Sequence, residues 1–171
     1  MYEKALTLLY TETQIEQTVT TPVVEFNLVS PNATPGIDIK EFHEKLCDSI
    51  KSGPHSDEEK FVTEQMKDIL QEYWNKKYKK DLNVEVTSRG RIHKKGDRID
   101  TKTDVPNLYT FFYFISPGMD PSPLILKDSE TTVYPVEGYG IMFPSWMNYE
   151  FREQVVDSDV YYITGTIKLI N

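Results

Sequence analysis

Apolar and polar positions follow two different rhythms along this chain. In the first half the spacing is helical. Ile39, Phe42, Leu46 and Ile50 recur every three to four residues, which predicts a helix ending near Ser52-Gly53-Pro54. Asp38 stands at its N-cap position with Glu41 three residues on, the spacing of a capping box. Ser56 and Glu59 repeat the device. Phe61, Val62, Met66, Ile69, Leu70, Tyr73 and Trp74 then mark the apolar face of a second helix, which fades into Lys76, Lys77, Lys79 and Lys80. Lysines suit a helix C-terminus, whose carbonyls carry partial negative charge. Upstream, residues 22–29 alternate and are β-branched, so they predict a strand, and 31–36 are turn-rich. Residues 1–20 carry only a weak apolar pattern (Leu6, Leu8, Leu9, Ile15).

From Leu82 the rhythm shortens. Strands are predicted at 82–87, 91–93, 108–116, 123–126, 132–136, 140–143, 149–151 and 160–170, separated by Gly, Pro, Asp and Ser clusters. Short strands in succession, with no helix between them, imply antiparallel sheets. The expected fold class is α+β: two N-terminal helices packed on a β-sandwich or jelly roll. One domain is expected over 1–171, with 1–81 holding the N-terminal strand and helices and 82–171 the β core.

Composition adds exclusions. The chain has 171 residues, 39% hydrophobic and 27% charged, which excludes a disordered or collagenous chain. The most apolar stretch, 108–116, is far short of the roughly 20 residues a membrane helix needs. No apolar leader follows Met1, so an intracellular chain with no membrane contact is expected.

Charge is uneven. The net charge is −8, a poor prior for nucleic acid. Yet residues 76–102 hold ten of the nineteen Lys and Arg against four acids, a local +6 that leaves −14 elsewhere. Lys76, Lys77, Lys79, Lys80, Arg89, Arg91, Lys94, Lys95 and Arg98 are therefore candidate contacts for an acidic partner. A solvated helix end and strand edge explain the same residues without one.

Candidate chemistry is sparse. His43, His55 and His93 show no zinc-like i, i+4 pairing. The one cysteine, Cys47, lies four residues after His43, and a buried apolar thiol explains it. No phosphate-cradling glycine loop and no Gly-x-Ser-x-Gly elbow is present.

The β half carries a run of motifs: Lys95-Gly96-Asp97, the aromatic strand at 108–116, Tyr134-Pro135-Val136-Glu137-Gly138, Phe143-Pro144-Ser145-Trp146, and a final strand from Tyr161. With Thr21-Pro22-Val23 near the start, it resembles the prolyl-hydroxylase-like branch of the Fe(II)- and 2-oxoglutarate-dependent oxygenases, which includes many phage members. The resemblance implies a double-stranded β-helix of mostly antiparallel strands. It also implies two histidines and a carboxylate on iron, with an arginine for the co-substrate. Counted without gaps, the metal positions fall on Thr101, Thr103 and Tyr149, and the co-substrate position on Val160. None carries the needed side chain, and no histidine follows His93.

The expectation is thus a kept fold without metal, cofactor or catalysis. The chain would be a structural or protein-binding component, a phage neck, tail or baseplate subunit. It would act as a homo-oligomer or in a larger assembly, in the virion or host cytoplasm. Aromatics including Phe111, Phe112, Tyr113, Phe114, Trp146, Tyr149 and Phe151 would fill the barrel. The Tyr149 hydroxyl would bond Thr101 or Thr103. The alternatives are a hydroxylase with an atypical site built from His93, Asp97, Asp100 and Asp104, a phage regulatory protein that binds a host partner, and a binder of nucleic acid or an acidic partner through residues 76–102.

Overall fold

The computed structural model describes residues 7–13, 23–29, 38–53 and 56–170. The order of elements is β1 (Thr7–Thr13), β2 (Val23–Val29), α1 (Ile39–Ser52), α2 (Asp57–Tyr78), β3 (Val84–His93), β4 (Ile99–Lys102), β5 (Tyr109–Ser116), β6 (Leu124–Leu126), β7 (Thr131–Val133), β8 (Tyr139–Pro144), β9 (Tyr149–Phe151) and β10 (Val160–Leu169). The turn expected at 31–36, the Thr21-Pro22 motif residues, His55, and the parts of the lead at 1–6 and 14–20 lie outside the described residues.

Both helices start where their caps predict. Asp38 accepts a hydrogen bond from the Lys40 amide and Ser56 from the Glu59 amide. Each satisfies an amide that has no partner within its helix. α1 stops at Gly53, whose φ of 135° favours glycine, and α2 stops at Lys79 in the left-handed region. Among the described residues no helix is long and apolar enough to cross a membrane.

The strands form two antiparallel sheets. The larger runs β1-β2-β8-β5-β10-β3 and the smaller β4-β9-β6-β7. β5 is buried along nearly its whole length because both of its faces are covered. Successive side chains of a strand point to opposite faces. Phe111, Tyr113 and Ile115 therefore join Phe42, Leu46, Met66 and Leu70 of the helices in one core. Phe112 and Phe114 join Leu124, Leu126, Phe143, Tyr149 and Phe151 in a second core between the sheets. The expected barrel filling is corrected on this point. Phe111 and Tyr113 belong to the helix-facing core, and Trp146 is exposed.

Three elements differ from the sequence pattern, the first being β1, which pairs with β2 from within the lead where no strand was expected. The strands expected at 82–87 and 91–93 are one continuous strand, β3, paired with β10 over ten residues. Gly90, which reads as a break, continues the ladder opposite Ile163, and a Cβ on it would stand 2.5 Å from Cγ1 of Ile50. Glycine there lets the end of α1 approach the sheet. β4 escapes the pattern because its four residues are largely exposed and mostly polar.

Candidate functional site

The open end between the two sheets holds a cavity of about 470 Å³, with Phe112 in its lining. Arg91 from β3, Tyr162 and Thr164 from β10, and Lys102 and Tyr149 from β4 and β9 surround it, with Arg98, Asp97 and Asp104 from the connecting segments. Larger cavities lie along the β3 edge (about 750 Å³) and beside α1 (about 660 Å³). The mouth differs from both in the charged cluster it contains.

Asp104 is the centre of that cluster. Its Oδ1 accepts from Lys102 Nζ at 2.9 Å, and its Oδ2 accepts from Tyr149 at 2.7 Å and from Thr110 at 2.9 Å. Thr110 in turn meets Ser145 at 3.0 Å. Lys102 Nζ also lies 5.5 Å from the Tyr149 ring centroid. Burial by itself raises the Asp104 pKa. Hydrogen bonds from Tyr149, Lys102 and Thr110 outweigh it and hold the carboxyl below its ordinary value. Burial, and then the bond to Asp104, drive the Tyr149 phenol far above its usual range. Tyr162 is pushed up to about 12, chiefly by burial. Both phenols are therefore neutral donors at neutral pH.

Strand register brings these side chains together. Lys102 and Tyr149 are directly opposed across β4 and β9, and the ladder shifts register between Ile99 and Lys102. Such a bulge places extra residues on one strand against the other. This corrects the expected bond of Tyr149 to Thr101 or Thr103: its partner is Asp104. Thr101 is exposed and donates to Glu150 at 3.0 Å. Thr103, half-exposed, lies between the two residues that converge. Val160 is fully buried in the barrel core, opposite His93. The His93 ring stacks on Phe151, and its Nε2–H donates to the Arg152 carbonyl at 2.8 Å. Lys102 was not among the sequence candidates. A count one residue longer from Lys95-Gly96-Asp97 would have found it.

The basic residues do not gather into one patch. Lys76, Lys77, Lys79 and Lys80 end α2 just before β3, whereas Lys94, Lys95 and Arg98 follow its far end. Ten strand residues separate the two groups by about 30 Å. Arg89 and Arg91 lie between them on the exposed face of β3. Lys77 is tied to the Tyr73 hydroxyl at 2.9 Å, and Arg98 to Asp100 at 3.1 Å.

A second polar cluster joins α1 to the larger sheet. His43 Nε2 meets the Tyr113 hydroxyl at 2.7 Å, and Nδ1 meets Glu137 at 2.9 Å. A neutral imidazole satisfies both, accepting from the phenol and donating to the carboxylate. Burial lowers the His43 pKa, and Glu137 offsets only part of that. A depressed histidine pKa means that the unfolded chain binds the extra proton first. Stability from this cluster is therefore present above about pH 6.5, the unfolded value, and falls as pH drops toward the folded value. The thermal midpoint is expected to fall on acidification from pH 7 to 5.5, and less so in His43→Gln. An equal fall in both proteins would refute this. Cys47, beside the same cavity, has its thiol pushed up to about 11 by burial and is unreactive at neutral pH.

The donors at the mouth do not suit a transition metal. Among the described residues no three His, Cys, Asp or Glu side chains stand together as a ligand set. Both Asp104 oxygens are engaged by an ammonium and two hydroxyls, and an ammonium donates only.

The sequence matches no protein-family model and no curated protein. Solved structures do match. A viral collagen prolyl hydroxylase from Paramecium bursaria Chlorella virus-1, in complex with 2OG, has a TM-score of 0.62 at 12% identity, over 79% of this chain and 92% of that one. A prolyl-4-hydroxylase from Pseudomonas putida has a TM-score of 0.61 at 16% identity, over 77% and 83%. An oxidoreductase of the 2OG-Fe(II) oxygenase family from Burkholderia pseudomallei has a TM-score of 0.54 at 8% identity, over 92% and 71%. This likeness shows the fold: α+β, with the jelly-roll-like sheets of these oxygenases. It overturns the expectation of a non-catalytic virion subunit, because these three matched proteins are oxygenases.

Proposed function

We propose that this chain is an enzyme of the oxygenase fold with an atypical site, and that its barrel mouth takes a 2-oxoacid such as 2-oxoglutarate. The cavity carries the reading. At about 470 Å³ it lies within the range of small-molecule sites, and Arg91, Arg98 and Lys102 line it together. The viral neighbour was solved as a 2OG complex. Arginine is suited to bidentate capture of a carboxylate. Arg91, opposed to Tyr162 across the β3–β10 ladder, is placed to hold one end of a dicarboxylate. Lys102 lies nearer the Asp104 side of the cavity and is placed to meet the other. Phe112 supplies an apolar wall that excludes water from the carbon chain. No oxidation step follows from these side chains.

Calorimetric titration with 2-oxoglutarate is expected to give a Kd of about 1 mM or tighter. Arg91→Ala should weaken it about tenfold or more. Consumption of the oxoacid, followed by proton NMR, tests the enzyme directly. No binding at about 10 mM ligand, or binding indifferent to Arg91, overturns the reading.

A second reading concerns the cations spread along β3. Their extended layout suits an elongated acidic segment of a partner protein rather than a compact phosphate. Arg89→Glu with Lys94→Glu, neither in the lining of the mouth, should abolish capture of a poly-glutamate peptide while leaving 2-oxoglutarate binding intact.

A further inference from the structure

We propose that the Lys102 ammonium is a resident cation of the barrel mouth, so that ligands are held there without a metal. For the ligand this rests on the function proposed above. For the cation it rests on geometry alone.

Positions 102 and 149 face each other across β4 and β9, and Asp104 follows two residues later. Their side chains converge on one point: Lys102 to Asp104 at 2.9 Å, Tyr149 to Asp104 at 2.7 Å, and the ammonium over the Tyr149 ring. Three side chains meeting from β4, β9 and the segment that follows β4 have the layout of a ligand triad. Of the three, only Asp104 is a metal-type donor here. The ammonium supplies the positive charge its carboxylate requires, and the two hydroxyls on Oδ2 complete its hydrogen bonding. A divalent ion would have to expel the ammonium, strip Asp104 of its donors and do without imidazole. Lys102, at 49% side-chain exposure, can turn from Asp104 toward an incoming carboxylate, whereas Asp104 itself is 15% exposed and fixed.

The experiment compares the parent with Lys102→His/Tyr149→His, which sets two imidazoles beside the existing Asp104 carboxylate. Both are titrated with Co(II), read by its visible absorption. The double variant, checked for its fold by circular dichroism, should bind at least about 100-fold more tightly than the parent. Adding Asp104→Ala should remove the gain. Should the double variant fail to fold, Lys102→Glu provides a second carboxylate at the same point and should gain Mn(II) binding. A folded variant with no gain, or a parent that binds Co(II) equally well, overturns the proposal. In a second arm, 2-oxoglutarate binding to the parent should be unchanged by EDTA and weakened by Lys102→Ala. A requirement for added Fe(II) or Mn(II) overturns the proposal. If 2-oxoglutarate binds under neither condition, the ligand assignment falls, and the Co(II) arm decides the resident cation separately.

Discussion

Phe112→Ala is expected to cost about 3–5 kcal/mol of folding stability, the range for truncating a buried aromatic in a close-packed core. Phe112 is fully buried, and five rings surround it: Phe114, Phe143, Tyr149, Phe151 and Tyr162, with centroids 5.6 to 6.4 Å away. Its neighbours come from β5, β8, β9 and β10, so they cannot collapse into the gap without moving both sheets. Interiors packed to crystal-like density leave little freedom for such relaxation. Because Phe112 also lines the mouth, the variant loses part of the apolar wall beside Arg91 and Tyr162. Urea unfolding by circular dichroism measures the loss. The exposed Trp146 is the control, since surface truncations stay within about 0.5 kcal/mol. Similar losses from Phe112→Ala and Trp146→Ala would show that the inter-sheet core is not assembled as described.

Asp104→Ala should cost about 2–3 kcal/mol at pH 7, because hydrogen bonds to a charged group are lost and their donors stranded. Tyr149 is 2% exposed and Thr110 1%, so neither hydroxyl recovers its bond from bulk water. The pH dependence has a definite sign. The folded pKa of Asp104 is lowered from 3.8, so the unfolded chain takes up its proton first on acidification. The stabilisation is fully present above the unfolded value and is lost as pH falls through the folded one. The difference between parent and Asp104→Ala should therefore be constant from pH 7 to 5 and shrink below about pH 4. Asp104→Asn should fall between them, since an amide keeps an acceptor oxygen but not the charge that holds Lys102. A gap between parent and alanine variant that persists unchanged at pH 2.5 would locate the effect in packing instead.

Much of this architecture is determined locally. Asp38 and Ser56 begin helices because a side-chain oxygen can reach an amide two or three residues on, an interaction contained within four residues. The run at 109–116 is apolar at every position but Thr110 through Ile115, so its strand is covered on both faces, and both covering layers are present. The motifs that resemble prolyl-hydroxylase-like oxygenases lie in the half that carries the sheets, and the fold agrees with them.

What the local pattern misses depends on contacts between distant residues. Gly90 reads as a break until Ile50, forty positions earlier, is seen to occupy the space its side chain would need. The polar β4 is a strand only because β9 pairs with it. The site turns on one such event. A register shift between Ile99 and Lys102 sends Thr101 outward to Glu150 and brings Lys102 and Asp104 to Tyr149, forty-five residues away from Asp104. A gapless count cannot detect a bulge, because a bulge is a relation between two strands. The sequence by itself determined both helices, most of the strands and the residue types available at the mouth. The tertiary structure alone decided which of them meet, because a one-residue slip exchanges the two faces of a strand.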